Sequence, residues 1–122
     1  MDNITHRIAE SIRANDFSAY QRERYPAIQE GEFVRFTDEG FHGVNFDQFA
    51  MGFFVFENCN LDNAKHIYGQ PIYFINSSVR NVDFRGVKAI IEAEDCDFRG
   101  VKYDEETQFV YGSGKLAARS RF

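Results

Sequence analysis

Five side chains in this sequence are of the types used most often for metal binding or nucleophilic chemistry: His6, His42, His66, Cys59 and Cys96. The histidines lack the spacing of a zinc motif such as HExxH, and the cysteines do not form a CxxC pair. A reactive thiol needs accessible, electropositive surroundings. We therefore expect two buried structural thiols, a histidine at position 66 in the core or at its mouth, and neither a metal site nor a cofactor.

Phosphate and acyl-transfer chemistry are poorly represented as well. The segment Gly112-Ser113-Gly114-Lys115 resembles part of a phosphate-binding loop, but Leu116 stands where a Ser or Thr would coordinate magnesium. The chain contains no nucleophile elbow and no motif for a catalytic triad. The sequence therefore predicts a protein that is not an enzyme.

The overall charge limits the partners. A net charge of −5 argues against direct, non-specific binding to nucleic acid or to a membrane surface. No apolar run approaches the length of a membrane span. The first residues do not follow a basic region with an apolar stretch, as a signal peptide would. With two cysteines and no export signal, we expect a cytoplasmic protein with free thiols.

A five-residue unit recurs through most of the chain. A small residue comes first, then Asn or Asp, then a central Phe or Leu, as in residues 44–48, 59–63, 82–86 and 96–100. The centres stay in phase from Phe36 to His66, resume at Phe74 after an insertion of three residues around Tyr68–Pro71, and lose one residue near Glu92–Asp95. Such a repeat predicts a solenoid, whose stacked coils share one core.

These units, spread over residues 34–109, resemble those of the pentapeptide-repeat family. The resemblance implies an all-β fold, a right-handed quadrilateral β-helix of about four coils. Members similar to this chain include gyrase-inhibiting and quinolone-resistance proteins, whose acidic rods occupy a DNA-binding groove. The resemblance therefore also implies a DNA mimic without a catalytic site.

Four units per coil should stack residues that are twenty apart. We expect face one to hold Phe36, Phe56, Val79 and Phe98, face two to hold Phe41, Leu61, Phe84 and Tyr103, and face three to hold Phe46, His66 and Ala89. Both phase breaks then fall on face four.

Acidic residues are concentrated in the repeat region. Residues 33–111 contain 13 acids and 7 bases, a net charge of −6. We expect two clusters, one of Asp62, Asp83, Asp104 and Glu105 on face two, and one of Glu92, Glu94, Asp95 and Asp97 where faces four and one meet. Such carboxylates could pair with the Lys and Arg of a partner that normally hold phosphates. The alternative is a solvated surface that keeps the protein soluble.

A second surface is apolar. On face three, Ile67 and Tyr68 follow one centre, and Ile90 and Ile91 follow the centre one coil later. We expect these side chains to point outward or to lie at a corner, side by side. A contiguous exposed patch favours an interface, either a homodimer or a packing site for the N-terminal helix. The helix could instead cap the open end of the solenoid.

The two ends of the chain differ from the repeats. Residues 1–32 carry Ile4, Ile8 and Ile12 at helical spacing, and they predict a helical cap and linker: one helix that ends near Asn15, and a second over Phe17–Arg24 that ends before the proline at position 26. Residues 33–111 form the repeat domain. Residues 112–122 contain three bases and no acid, and they predict a basic, flexible tail.

The sequence leaves two functions open. The first is an inhibitor that mimics DNA and binds a nucleic-acid-binding enzyme or complex. Its target would be a gyrase-like topoisomerase, or a bacterial defence complex such as a CRISPR effector or a restriction enzyme, which a phage protein would inhibit. The second is a structural or protein-interaction module that binds through the apolar patch, with the charge incidental.

Overall fold

The strands of this protein return to the same place after every turn of the chain. The computed structural model describes residues 4–27, 34–49, 54–67, 69–86 and 88–109. Five strands pair in parallel in chain order, namely β1 (Val34–Thr37), β2 (Phe54–Glu57), β3 (Gly69–Ile75), β4 (Ala89–Glu94) and β5 (Thr107–Phe109). The result is a parallel β-solenoid of about four turns. The predicted β-solenoid with a helical N-terminal segment is therefore confirmed.

Two further ladders of isolated bridges run along the solenoid beside the sheet. The first bridge ladder joins Gly40, Asn60, Ser78 and Asp97, and the second joins Asn45, Lys65, Asp83 and Lys102. Backbone hydrogen bonds link the turns at both ladders, for example from the Phe41 N–H to the Asn60 carbonyl at 2.7 Å. Each turn thus contacts the next at three places, which fixes the direction of the side chains between them.

The centres of the repeat units fill the core. Ten predicted centres are buried: Phe36, Phe41, Phe46, Phe56, Leu61, Phe74, Val79, Phe84, Ala89 and Phe98. Phe36, Phe56 and Phe74 are paired across β1, β2 and β3, and their rings stack with centroids 5.4 Å apart at both steps. Ring pairs of this kind contribute about 0.5–1.5 kcal/mol beyond their burial. Tyr103 differs from the prediction, because its side chain is 57% exposed in the last turn.

The predicted stacking is wrong from the third turn onward. Val79 and Phe98 follow the first bridge ladder, beside Phe41 and Leu61, instead of stacking on Phe56. Partners on the sheet lie 20, 18 and 19 residues apart, from Phe36 through Phe56 and Phe74 to Ala93. The second turn is therefore two residues short rather than three residues long. A five-residue phase cannot distinguish a loss of two residues from a gain of three. The predicted face of each later unit therefore lies one face away from the observed one.

The corner after each of the first four strands needs a left-handed backbone. Asp38, Asn58, Asn76 and Asp95 occupy this corner in successive turns, with φ angles of 57°, 54°, 46° and 53°. After glycine, which has no side chain, Asn and Asp tolerate this conformation best. The Asn76 amide also donates a hydrogen bond to Asn58 Oδ1. The recurrent Asn and Asp residues thus serve the turn geometry as well as the surface.

Two helices precede the solenoid. Helix α1 (Ile4–Arg13) buries Ile8 and Ile12, and the chain turns at Asn15, where φ is 56°. The Asp16 carboxylate accepts the N–H of Ala19 at 3.0 Å and so caps helix α2 (Phe17–Ala27). The expected end before residue 26 is wrong, since α2 runs to Ala27. The fixed φ of a proline is compatible with a helix even where its missing N–H removes a bond.

The helices pack against the first turn of the solenoid. The rings of Phe17 and Tyr20 in α2 contact Phe49, with centroids 6.1 Å and 4.9 Å away, and Phe49 lies in a 3₁₀ turn (Asp47–Phe49). In α1, the Arg13 guanidinium lies over the Phe41 ring at 5.6 Å. Phe41 and Phe46 are fully buried although, within the described part of the chain, no turn of the solenoid precedes theirs. Of the two positions considered for the helix, these contacts favour the cap.

Candidate interaction surface

The predicted acidic cluster on face two is divided between the two bridge ladders and the final turn. Asp62 lies two residues after the first bridge ladder, whereas Asp83 lies on the second bridge ladder. Asp62 is only 4% exposed. Arg80 binds it through Nη2 at 2.7 Å and Nε at 3.1 Å, and the Ser78 hydroxyl donates to it at 2.5 Å. Burial acts to raise the pKa of Asp62, but the bonds from Arg80 and Ser78 outweigh it and lower the pKa. This carboxylate stabilises the fold from within.

Two other aspartates follow a shared rule. In both Asp83-Phe84-Arg85 and Asp97-Phe98-Arg99, the arginine returns to the aspartate two residues before it through Nε and Nη2. The Nη2 distances are 2.8 Å and 2.6 Å. These hydrogen bonds lower the pKa of Asp83 and of Asp97 to about 2. Both aspartates are therefore ionised but carry their own cation.

The last acidic residues lie at the final turn. Asp104 accepts the N–H groups of Gly86 at 2.8 Å and Glu106 at 2.9 Å, so it serves as a turn cap. Glu105 is exposed. A shallow cavity of about 310 Å³ lies beside it, lined by Lys88, Ala89, Ile90, Glu105, Glu106 and Gln108. Of the four residues predicted for face two, Glu105 is thus the one most open to a partner.

The second predicted cluster divides differently. Glu92 and Glu94 are at outward positions on β4, and Asp95 follows at the corner, so these three lie together. Asp97 is on the first bridge ladder and pairs with Arg99, which separates it from the other three. Three of the four predicted residues therefore share a surface, and Asp97 does not.

That surface covers the outside of the sheet. We call it the strand face and define it by residues 34–38, 54–58, 72–76 and 89–95. Across these described residues, the acids number five and the bases one: Asp38, Glu57, Glu92, Glu94 and Asp95 against Arg35. Arg35 lies 3.1 Å from Glu57. The strand face therefore has a net charge of −4, and at its centre the half-buried Tyr73 and Ile75 point outward.

The two bridge ladders give a contrasting surface. We call it the bridge face and define it by residues 40–49, 59–67, 77–86 and 96–103. Within these described residues there are four acids and five bases, a net charge of +1 with histidine neutral. The bases are exposed, whereas Asp62 is buried and Asp83 and Asp97 are half-buried. Apart from the exposed Asp47, solvent therefore meets mainly guanidinium and ammonium groups here, above carboxylates that lie deeper.

The predicted apolar patch on face three does not exist as expected. Ile67 is 0% exposed and Ile91 is 1% exposed, so both belong to the core. His66 has a φ of 60°, which turns the chain so that Ile67 takes the inward position. In β4 the side chains alternate, so Ile91 points inward while Ile90 is half-buried on the strand face. Tyr68 lies outside the described residues.

The two candidate thiols are buried and hydrogen-bonded. Cys59 donates to the carbonyls of Phe36 and Glu57, and Cys96 to that of Glu94, at 3.2 to 3.4 Å. Burial raises the pKa of both thiols to about 11, so they stay protonated near neutral pH. In the part of the chain that the structure describes, no three metal-binding side chains come together, and no helix is long and apolar enough to cross a membrane.

Sequence reasoning missed one carboxylate that organises the N-terminal end. Glu39 takes the place in the first turn that Cys59, Ser77 and Cys96 take in later turns, directly before the first bridge ladder. Its carbonyl, like those of Cys59 and Ser77, accepts an N–H from the next turn. Side chains of helix α1 bind the Glu39 carboxylate. Arg13 Nη1 lies 2.9 Å and His6 Nδ1 2.8 Å from the Glu39 carboxylate. An acid where later turns have a small residue was the available signal.

Comparison with known proteins adds no family to this description. A scan against profiles of protein families found no match, and searches of curated proteins and of solved structures also found none.

Proposed function

We propose that this chain is a pentapeptide-repeat protein and that its solenoid is right-handed and four-sided. The five-residue unit supports this proposal, because its centres fall on successive ladders. Turn lengths of 20, 18 and 19 residues also correspond to about four such units each. In a four-sided coil, the strands and the two bridge ladders would occupy three sides.

We further propose that the protein is a non-enzymatic inhibitor that presents the strand face to a basic, nucleic-acid-binding surface of a protein partner. The observation that supports it is the charge difference between the two faces, −4 against +1 in the described residues. Carboxylates on the strand face would occupy the Lys and Arg that normally hold phosphates. The mimicry is thereby assigned to Glu92, Glu94 and Asp95, and not to Asp62 and Asp83.

The second candidate, a protein-interaction module, is favoured by a separate observation on the same face. Tyr73 and Ile75 are half-buried and point outward between the carboxylates. An aromatic and aliphatic centre within a polar rim is typical of protein interfaces. In this case the contact would depend on apolar area and would tolerate competing DNA.

The experiment that tests the proposal compares two charge reversals. The immobilised wild-type protein captures partners from bacterial lysate at moderate salt, and duplex DNA is used to elute them. We expect Glu92→Lys with Glu94→Lys to abolish capture, and Glu105→Lys with Glu106→Lys, which changes the same charge at the final turn, to preserve it. Mass spectrometry names the eluted protein.

Two outcomes would overturn the inhibitor proposal. One is a partner that DNA does not displace, which would favour the interaction module, with Tyr73→Ala as its matched test. The other is equal capture by both charge-reversed variants, which would mean that the strand face takes no part.

A further inference from the structure

The outer side of the sheet carries half-buried apolar side chains among its acidic ones, and no other element among the described residues packs on it. Strands β3 and β4 contact mainly their neighbouring strands. Their outward side chains include Tyr73, Ile75 and Ile90, all half-buried. Parallel sheets normally have both faces covered. This side of the solenoid is therefore suited to bind a further segment of chain.

The chemistry of that segment follows from the border of the surface. Glu57, Glu92, Glu94 and Asp95 surround the apolar side chains, and Arg35 is the one base among the described residues of the strand face. Lys and Arg can lay their aliphatic stems on apolar surface while their charged heads meet carboxylates at the edge. The surface thus fits a short segment rich in Lys and Arg.

The chain itself contains such a segment, the predicted basic tail, which lies outside the described residues. Residues 112–122 carry Lys115, Arg119 and Arg121 with no acid, together with Leu116 and Phe122. Strand β5 ends at Phe109, next to β4, which carries Glu92 and Glu94. Residues 110–122 could span about 40 Å when extended, whereas the neighbouring strands lie about 5 Å apart. The segment is therefore long enough to reach the outside of the sheet.

We propose that the basic segment 112–122 binds in cis to the strand face. A short tether holds such a segment at an effective concentration in the millimolar range, so a contact whose dissociation constant lies in or below that range is populated. If the strand face is the partner site, as proposed above, the segment also competes with the partner for the same carboxylates. The contact would then be autoinhibitory.

A spin label on the full-length chain tests the contact directly. Ala118→Cys introduces one reactive thiol, because Cys59 and Cys96 are buried and remain protonated. The label should broaden the amide signals of Tyr73 and Glu92 in nuclear magnetic resonance spectra, and leave that of Asn60 on the bridge face sharp. Raising the ionic strength to about 1 M shortens the Debye length to about 3 Å and should restore the broadened signals.

Two controls make the test decisive. Replacing Lys115, Arg119 and Arg121 with Gln in the labelled chain should abolish the broadening, and so should Glu92→Gln with Glu94→Gln. Broadening that is uniform over both faces, absent altogether, or stronger on the bridge face would overturn the proposal. Broadening that appears mainly when labelled chain is mixed with unlabelled, isotope-enriched chain would also overturn it, in favour of a second copy.

The outcome is separable from that of the proposed function. If the label reports the contact but no partner is captured, the cis contact stands and only the inhibitor proposal fails. If both hold, the chain with the three Gln substitutions should capture more partner than the wild type. Equal capture would overturn the competition between segment and partner.

Discussion

The strand face and the bridge face are made by the same turns of one chain, yet they treat charge in opposite ways. On the bridge face, Asp83 and Asp97 each have an arginine two residues later, and Asp62 has Arg80 in the next turn. On the strand face, β4 places Glu92 and Glu94 at alternate outward positions with no base between them. The difference arises because five-residue units on the bridge face, such as residues 82–86 and 96–100, each contain both an aspartate and an arginine.

The comparison separates two roles for acidic residues. An aspartate that has a nearby arginine and accepts backbone N–H groups stabilises the turn, as the Arg80 N–H to Asp62 bond at 3.0 Å illustrates. Glutamates on the strand face extend from a sheet whose backbone is already paired. Net charge alone therefore overstates the surface available to a partner, since the two kinds of carboxylate count equally in a sequence.

The largest expected effect tests the core that both faces share. Phe84→Ala removes a fully buried ring that packs against Phe74 with centroids 6.4 Å apart. We expect the free energy of unfolding to fall by about 3–5 kcal/mol, because the ring is lost and a cavity remains. Urea denaturation measures it. Tyr103→Ala is the control at the same ladder position one turn later, where exposure should limit the cost to under about 1 kcal/mol. Similar costs for both would contradict the ladder assignment.

The next effect tests the two roles of carboxylates directly. Asp62→Ala leaves Arg80 and Ser78 without a buried acceptor, and we expect a loss of about 2 kcal/mol in the free energy of unfolding, the range for hydrogen bonds to charged groups. Glu94→Ala on the strand face should lower it by less than Asp62→Ala does, because Glu94 is half-buried whereas Asp62 is buried. Thermal unfolding of the two variants gives the comparison. A larger loss for Glu94 than for Asp62 would reverse the roles assigned here.

Much of this fold was predictable, because the five-residue unit reports directly on which side chains are buried. The unit predicted the solenoid and most of its core, from Phe36 to Phe98. It could not predict which turn each unit belongs to, since a phase repeats every five residues while a turn can have 18, 19 or 20. Register had to come from the backbone pairing.

The surface was less predictable for a different reason. Whether Ile67 or His66 points inward depends on a single φ angle of 60° at His66, which the pattern does not encode. The pairing of Asp83 with Arg85 depends on how the corner aims the arginine back, although the recurrence of Asp-Phe-Arg was visible in the sequence. The role of Glu39 could not be predicted without knowing that helix α1 packs against it.

A smaller effect concerns how the bridge face responds to acid. The pKa of Asp83 and of Asp97 is lowered to about 2, below the unfolded value near 4. Their contribution to stability is therefore present above about pH 4 and is lost as the pH falls through about 2. Carboxyl chemical shifts across this range should give midpoints near 2 for both. Arg85→Ala should raise the midpoint of Asp83 alone, so a shift of both residues would mean that the pairs are not local.

The smallest effect concerns Glu39, a carboxylate beside the strand face that is paired with two bases of helix α1. Glu39 holds His6 and Arg13 of α1, and its hydrogen bond to His6 is the main cause that raises the pKa of that imidazole above 6.5. A raised folded pKa means that the stabilisation is complete below 6.5 and is lost as the pH rises through the folded value. Hydrogen exchange of the α1 amides, corrected for the intrinsic rate, should therefore show weaker protection with rising pH. His6→Ala should remove this dependence, whereas the exposed His42→Ala should keep it. Protection that is independent of pH in the wild type would mean that Arg13 alone holds α1 on Glu39.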